Sequence, residues 1–277
     1  MDKFRHIIQA AWAIISNSFI AGWQSGTIYR GELKNLCMPG LNCYSCPGAW
    51  GSCPIGALQA VAGSGAYQLS FYVIGILSVF GITLGRFICG FLCPFGFLQD
   101  ILHKIPFVKK INSFRGDRQL RWLKYIILLV FVLLLPMFAV DIIGEGSPAF
   151  CKYICPAGTL EAGVPLVLMN DLLAAAAGWL YRWKLFLLVS IVLLSVIIYR
   201  PFCKYICPLG AIYGLFNPIS FYRFRVNEKC VSCSLCSKSC KMGIEPFKTP
   251  NHRECIRCGD CLKACPHGAI CKGFDKK

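Results

Sequence analysis

Two matching cysteine runs near the C-terminus place the strongest constraint on how this chain folds. Each run has the spacing Cys-x2-Cys-x2-Cys-x3-Cys, and the runs comprise Cys230, Cys233, Cys236 and Cys240, then Cys255, Cys258, Cys261 and Cys265. Three thiolates at this spacing surround one face of a 4Fe-4S cluster, and the fourth cysteine of each run reaches the other cluster. We therefore predict a small, interlocked α+β ferredoxin-like domain over residues 226–277.

The same spacing assigns the eight thiolates crosswise. The first cluster is expected on Cys230, Cys233, Cys236 and Cys265, and the second on Cys240, Cys255, Cys258 and Cys261. A pair of zinc sites is the alternative, because Cys-x2-Cys also binds zinc. Two identical four-cysteine runs nevertheless favour iron-sulfur clusters.

The rest of the chain is far more apolar than a soluble protein. Only 15% of the 277 residues are charged, and the mean hydropathy is +0.57, which indicates a chain built largely for a bilayer. The nineteen cysteines fall into clusters with metal-ligand spacing rather than the pattern of a disulfide scaffold. The formal charge of +16 does not indicate nucleic-acid binding, because the Lys and Arg residues lie at the ends of apolar runs.

Four apolar stretches are close to the length that crosses about 30 Å of hydrocarbon as a helix. They cover residues 7–28, 69–88, 122–140 and 183–199. A fifth stretch, residues 164–180, is interrupted by Asn170 and Asp171. It is expected to be an interfacial or re-entrant helix, with a membrane span as the alternative. We therefore predict a mainly α, four-span transmembrane helical bundle over residues 1–225.

Basic residues orient this bundle. Lys and Arg are concentrated between the second and third apolar stretches and again after the fourth, whereas the loops after the first and third stretches are poorer in them. The positive-inside rule places the basic segments in the cytoplasm. We therefore expect a multi-pass protein of the inner (cytoplasmic) membrane with both termini cytoplasmic.

Four segments with the pattern Cys-Pro-x-Gly form an internal repeat. They begin at Cys53, Cys93, Cys155 and Cys207, and each follows shortly after an apolar stretch. Successive copies therefore alternate between the outer and inner sides, which indicates inverted repeats. The last three copies are preceded four residues earlier by a second cysteine.

Two of these Cys-x3-Cys-Pro pairs are expected on the inner side, where they supply four ligands. The pairs are Cys89 with Cys93 and Cys203 with Cys207. This spacing puts both sulfurs on one side of a helical turn, and the following proline stops or redirects the helix. If the two halves pack together, the pairs hold a third 4Fe-4S cluster; isolated structural thiols are the alternative.

Six further cysteines are expected on the outer side, and repeat symmetry nominates a second membrane cluster among them. Its expected ligands are Cys46, Cys53, Cys151 and Cys155. Two alternatives stay open: a disulfide such as one between Cys37 and Cys43, or redox-active thiols without a cluster. The sequence thus predicts two clusters in the C-terminal domain and one or two more in the membrane.

The membrane Cys-x3-Cys-Pro pairs, followed by a two-cluster ferredoxin segment, resemble the membrane polyferredoxins of the NapH and NosR type. The resemblance covers the second and fourth apolar stretches and the C-terminal runs. It implies electron transfer between a membrane donor, often a quinol, and a partner redox enzyme. The extra outer cysteines depart from the family pattern, so its nitrate and nitrous oxide pathways are not carried over.

These features indicate an electron-transfer subunit rather than a stand-alone enzyme. The sequence has no haem-attachment motif, dinucleotide fingerprint or nucleophile elbow. We expect electrons to pass between the cytoplasmic domain and membrane or outer-side clusters, serving a redox partner complex, with a quinone or flavoprotein as candidate partners. A redox assembly factor for metal-centre or thiol maturation, and a membrane-anchored metal sensor, are the alternatives. Tunnelling weakens steeply with distance, so clusters at opposite bilayer faces require either Cys-Pro segments that carry both clusters inward or another cofactor between them.

Overall fold

The computed structural model describes residues 2–64, 71–106, 110–112, 114–139 and 146–274. These residues are mainly helical, as predicted, and they include one two-stranded sheet. The helices up to residue 103 are α1 Asp2–Ser16, α2 Ile20–Ser25, α3 Pro54–Gly63, α4 Phe71–Leu84, α5 Phe87–Phe91 and α6 Pro94–His103. Those that follow are α7 Asp117–Phe138, α8 Ala149–Tyr153, α9 Pro156–Met169, α10 Asp171–Ala175, α11 Trp179–Ile197, α12 Pro201–Tyr205, α13 Pro208–Phe216, α14 Leu235–Lys238 and α15 Asp260–Ala264. A short 3-10 helix covers Glu32–Asn35.

Each Cys-Pro-x-Gly segment starts a helix. The proline is the first residue of α3, α6, α9 and α13, and the preceding cysteine is the N-cap residue with an extended backbone. Proline fits this position because its missing N–H would have no partner within the first turn. The sulfurs therefore lie at helix N-termini, so the proline opens the next helix as well as ending the one before it.

Among the described residues, two helices are long and apolar enough to cross a membrane: α7, with 22 residues, and α11, with 19. They coincide with the predicted stretches 122–140 and 183–199, and most of their surface faces outward from the protein, as lipid-facing helices require. The stretch 7–28 is instead divided between α1 and α2 at residues 17–19. The stretch 69–88 begins outside the described residues, and its helix α4 has 14 residues. The stretch 164–180 breaks at Asn170, whose side chain caps α10.

Two matching units form the centre of the membrane part. One is α4, α5 and α6, the other is α11, α12 and α13, and each has a long helix, a short helix and a Cys-Pro helix in that order. The units exchange contacts, since α6 packs against α11 and α13 packs against α4. Phe95 and Phe202 pack edge to face between them, with 5.0 Å between ring centroids. The repeat segments that begin at Cys93 and Cys207 thus belong to two units that face each other.

The C-terminal module is tied together by an antiparallel pair of strands, β1 Tyr222–Val226 and β2 Ile270–Phe274. Tyr222 pairs with Phe274 and Val226 with Ile270, so the strands close the module at both chain ends. The predicted boundary at residue 226 falls on the last residue of β1. Residues 222–225, which lie before the predicted boundary, pair with β2 together with Val226.

Candidate iron-sulfur sites

Four buried thiols meet where the two matching units face each other. This inner site comprises Cys89, Cys93, Cys203 and Cys207, and all four side chains are buried. Each of the six pairs among the four thiols interacts electrostatically. The structure thus brings together the residues that the two Cys-x3-Cys-Pro pairs contribute, one pair from each unit.

Backbone and amide N–H groups point at the sulfurs of the inner site. The amides of Gly96 and Gly210 lie 3.4 Å from the sulfurs of Cys93 and Cys207, respectively. Gln99 Nε2 donates to Cys203 Sγ at 3.3 Å. Donors of this kind stabilise a sulfur that carries negative charge. The site therefore fits metal-bound thiolates better than neutral thiols.

Two buried arginines cross between the units in a symmetric way. Arg86, three residues before Cys89, donates to the carbonyl of Cys203 at 3.0 Å. Arg200, three residues before Cys203, donates to the carbonyl of Cys89. Both guanidinium groups are fully buried. Two fixed positive charges beside four thiolates offset the negative charge that an iron-sulfur cluster carries.

At the inner site, the glycine of each Cys-Pro-x-Gly segment leaves space for the arginine that crosses from the other unit. A Cβ at Gly96 would lie 3.2 Å from Arg200 Nη1, and a Cβ at Gly210 would lie 3.2 Å from Arg86 Nη2. Both distances are tighter than ordinary carbon contacts, so a larger residue would push the arginine away from the carbonyl it binds. The arginines and glycines escaped the sequence prediction, although the spacing Arg-x2-Cys-x3-Cys-Pro-x-Gly occurs twice.

The module holds two further groups of thiols. Cys230, Cys233, Cys236 and Cys265 line one small pocket together with His267, and we name them the distal module site. Cys261 interacts electrostatically with Cys255 and Cys240, and Cys258 interacts with Cys255; we name these four the proximal module site. The fourth cysteine of each run thus lies with the other run, as the crosswise assignment requires.

Burial at the proximal module site makes it unfavourable for a cysteine there to lose its proton. It raises the pKa of Cys255 to about 11 and that of Cys261 to about 12. Without a positive partner these groups would remain protonated at neutral pH. A bound metal ion would supply that partner, because a metal ion binds the deprotonated sulfur.

A buried glutamate locks the module onto the membrane part. Glu254, next to Cys255, forms ion pairs with Arg86 at 2.6 Å and with Lys124 of α7. Asn217 supports the same junction by donating to the carbonyl of Cys255 at 3.0 Å. Arg86 therefore contacts the inner site on one side and the module on the other. No motif in the sequence indicated this role for Glu254.

The backbone of the module also touches α5 directly. Gly90 lies inside the first Cys-x3-Cys pair, and a Cβ there would lie 2.3 Å from the carbonyl oxygen of Ile256. Ile256 lies between two cysteines of the proximal module site. The backbone between two inner-site cysteines thus directly contacts the backbone between two cysteines of the proximal module site.

Gly90→Ala is expected to push the module away from α5, because the added methyl would overlap the carbonyl of Ile256. We expect a loss of about 1–3 kcal/mol in the free energy of unfolding and faster hydrogen exchange in residues 249–271. The matched control is Gly75→Ala in α4, where a Cβ meets nothing within 4 Å and alanine favours the helix. Equal exchange rates in the two variants would show that this contact does not hold the module.

The outer cysteines separate into two sets. Cys53, Cys151 and Cys155 lie together, as predicted, but the fourth thiol beside them is Cys43. The thiol of Cys46 is directed instead at Asn17 Oδ1, 3.5 Å away. The structure thus groups Cys43 with these three thiols, whereas Cys46, the predicted fourth ligand, interacts with Cys43. Sequence spacing could not distinguish the two, because residues 37–53 form an irregular loop outside the repeat.

These four outer thiols line a cavity of about 1530 Å³. Cys37 lines it too, away from Cys43, and the structure contains no disulfide between them because all nineteen cysteines are free. Within the described residues, no three His, Cys, Asp or Glu side chains lie close enough together to hold one metal ion.

Comparison with known proteins finds two 4Fe-4S binding domain families in this chain. The first matches residues 66–113, 123–164 and 179–227, and the second matches residues 249–271. The chain is 29% identical to an uncharacterised protein of Methanocaldococcus jannaschii over 65% of its own length and 68% of the relative. The prediction of 4Fe-4S clusters is confirmed by these matches.

Two relatives with descriptive names are also similar. One is the methylamine utilization ferredoxin-type protein MauN of Paracoccus denitrificans, 26% identical over 83% of this chain and 72% of MauN. The other is the regulatory protein NosR of Stutzerimonas stutzeri, 28% identical over 66% of this chain but only 24% of NosR. No solved structure matches the chain.

Proposed function

Because this chain belongs to the 4Fe-4S binding domain family and is a polyferredoxin of the NapH and NosR type, we propose that it is an electron wire. In this proposal the two module sites and the inner site each hold one 4Fe-4S cluster. The wire serves a partner redox complex, and the protein performs no bond chemistry on a substrate. A bound 4Fe-4S cluster supplies reversible one-electron chemistry.

The order of the sites follows from their contacts. Cys236 of the distal module site interacts electrostatically with Cys261 of the proximal site. The proximal site meets the inner site at the contact between Gly90 and Ile256. The single observation that carries the proposal is this contact, because it supports a continuous route from the module into the membrane part.

The chain's own residues bind, insulate and balance the sites. In the three-cluster proposal twelve cysteines act as ligands, and the surrounding core excludes water from the inner site. Arg86 touches both the inner thiols and Cys255 electrostatically. Its fixed positive charge therefore stabilises additional negative charge at either neighbouring site.

We also propose a multi-pass arrangement in the cytoplasmic membrane with four spans and both termini inside. The helices α7 and α11 support two of these spans by length and composition. The basic segments before α7 and after α11 support a cytoplasmic module. A quinone, a flavoprotein or a soluble redox protein then donates or accepts electrons at the ends of the wire.

The test is a reductive titration of the anaerobically purified protein, followed by electron paramagnetic resonance. We expect at least three reversible one-electron transitions, two of them magnetically coupled within the module. An assembly factor that acts through thiols would instead show outer cysteines that cycle between thiol and disulfide. A zinc-loaded sample without any reversible transition would end the proposal.

A further inference from the structure

The strongest feature that the three-cluster wire leaves unused is the group formed by Cys43, Cys53, Cys151 and Cys155, which we call the outer site. From its geometry we infer that the outer site is a fourth 4Fe-4S site, with Cys43 as the ligand equivalent to Cys89. This inference extends the proposed function, because it adds a terminal site beyond the inner one. It concerns residues 37–53, which the family match does not include.

The first support is that the outer thiols repeat the arrangement of the inner ones. As at the inner site, each of the six pairs among the four thiols interacts electrostatically. A Cβ at Gly158 would lie 3.6 Å from Cys43 Sγ and 3.8 Å from Cys155 Sγ. Gly158 therefore lies beside both sulfurs, although more than a hundred residues separate the two cysteines in sequence.

A second support comes from two glutamines that make the same contacts. Gln99, six residues after Cys93, donates to Cys203 Sγ and accepts a hydrogen bond from the amide of Phe202. Gln59, six residues after Cys53, donates to Cys151 Sγ at 3.2 Å and accepts from the amide of Phe150 at 2.9 Å. Each glutamine also donates to the carbonyl four residues before it. Cys53 and Cys151 thus correspond to Cys93 and Cys203.

The same position in the other two repeats identifies the fourth ligand. Six residues after Cys207 lies Tyr213, whose strongest electrostatic interaction with a cysteine is with Cys89. Six residues after Cys155 lies Glu161, and its carboxylate accepts the amide N–H of Cys43 at 2.6 Å. Cys43 therefore occupies the place of Cys89, which the sequence could not show because Ala49 stands four residues before Cys53.

Positive charges accompany the outer thiols as they do the inner ones. Lys184 of α11 donates to the carbonyl of Cys151 at 3.1 Å, as Arg86 does to the carbonyl of Cys203. Lys34 is buried and interacts electrostatically with Cys46 and, more weakly, with Cys43. The outer site thus has four thiols and N–H donors like those of the inner site, with lysines where the inner site has arginines.

Residues 37–53 also connect the outer site to the inner one. The amide of Leu41 donates to the thiol of Cys93, and a Cβ at Gly40 would lie 2.3 Å from the carbonyl oxygen of Leu92. Tyr213 donates to the carbonyl of Pro39 at 2.9 Å. The loop that supplies Cys43 therefore packs directly on the inner site, so direct contacts connect the two groups of thiols.

The test compares iron content in the whole protein and two alanine variants, purified anaerobically. Four clusters give about sixteen iron atoms per chain. We expect about sixteen in the parent protein, about twelve in Cys43→Ala and about sixteen in the control Cys46→Ala. A parent value of about twelve would overturn the outer site but leave the three-cluster wire intact, whereas a value of about eight would remove the inner site as well.

A second pair of variants keeps the test valid if Cys43→Ala fails to fold. Gln59→Leu and Gln99→Leu each remove one hydrogen bond to a sulfur, which lowers the reduction potential of the cluster that sulfur holds. We expect each variant to lower the potential at which a different resonance signal appears, with the iron content unchanged. If Gln59→Leu shifts no signal, or the same signal as Gln99→Leu, the outer site does not hold a cluster of its own.

Discussion

Replacing Cys207 by alanine is expected to remove the cluster of the inner site and to leave the module loaded. Cys207 is buried, and its thiol interacts with the other three thiols of that site. We expect a loss of about four iron atoms per chain, together with loss of the resonance signal that belongs to neither module cluster. Electrons given to the module should then no longer reach the membrane part.

The control for this variant is Cys271→Ala. Cys271 is exposed and its sulfur accepts a hydrogen bond from Asn227 at 3.2 Å, so it belongs to no proposed site. We expect its iron content and all signals to match those of the parent protein. Unchanged iron in Cys207→Ala would mean that the inner thiols are structural, which was the alternative for these residues.

The second large effect is expected at the junction between module and membrane part. Glu254→Gln keeps the shape of the side chain but leaves Arg86 and Lys124 buried without a negative partner. Breaking a buried ion pair in this way costs about 3–5 kcal/mol. We expect weaker attachment of the module, measured as faster hydrogen exchange in residues 249–271 and faster oxidation of the module clusters.

Glu245→Gln is the matched control for this change. Glu245 forms an exposed ion pair with Lys248 at 2.8 Å, and such pairs contribute about 0–1 kcal/mol. Its exchange rates should therefore equal those of the parent protein. If Glu254→Gln behaves like Glu245→Gln, the glutamate does not hold the junction together.

The same glutamate determines how the junction responds to acid. Burial acts to raise the pKa of Glu254, but the charges of Arg86 and Lys124 outweigh it and lower the pKa to about 2. The stabilisation is present above the ordinary value of 4.5 and is lost as the pH falls towards 2. Because Glu254→Gln reproduces the acid form, it tests this loss at neutral pH, where the clusters are intact.

The cysteine spacing predicted much of this arrangement because ligand spacing is a local property of the chain. The crosswise grouping of the module cysteines and the meeting of Cys89 with Cys203 both follow from repeated motifs. Hydropathy predicted the membrane-length helices α7 and α11 for the same reason, since length and composition are read along the chain.

Features that depend on the irregular loop or on docking could not be predicted. Cys43 and Cys46 are equally plausible ligands by spacing, and only contacts in the folded structure distinguish them, such as the carboxylate of Glu161 on the amide of Cys43 and the thiol of Cys46 on Asn17. The ion pairs of Glu254 join residues more than a hundred positions apart. Gln59 and Gln99 both stand six residues after a Cys-Pro cysteine, but the sequence does not show which sulfurs they contact.

The most direct test of the whole account is the amount of iron and acid-labile sulfide in the anaerobically purified parent protein. With clusters in the membrane part as well as in the module, we expect about sixteen atoms of each per chain. A value of about eight, with every signal assigned to the two module clusters, would contradict it.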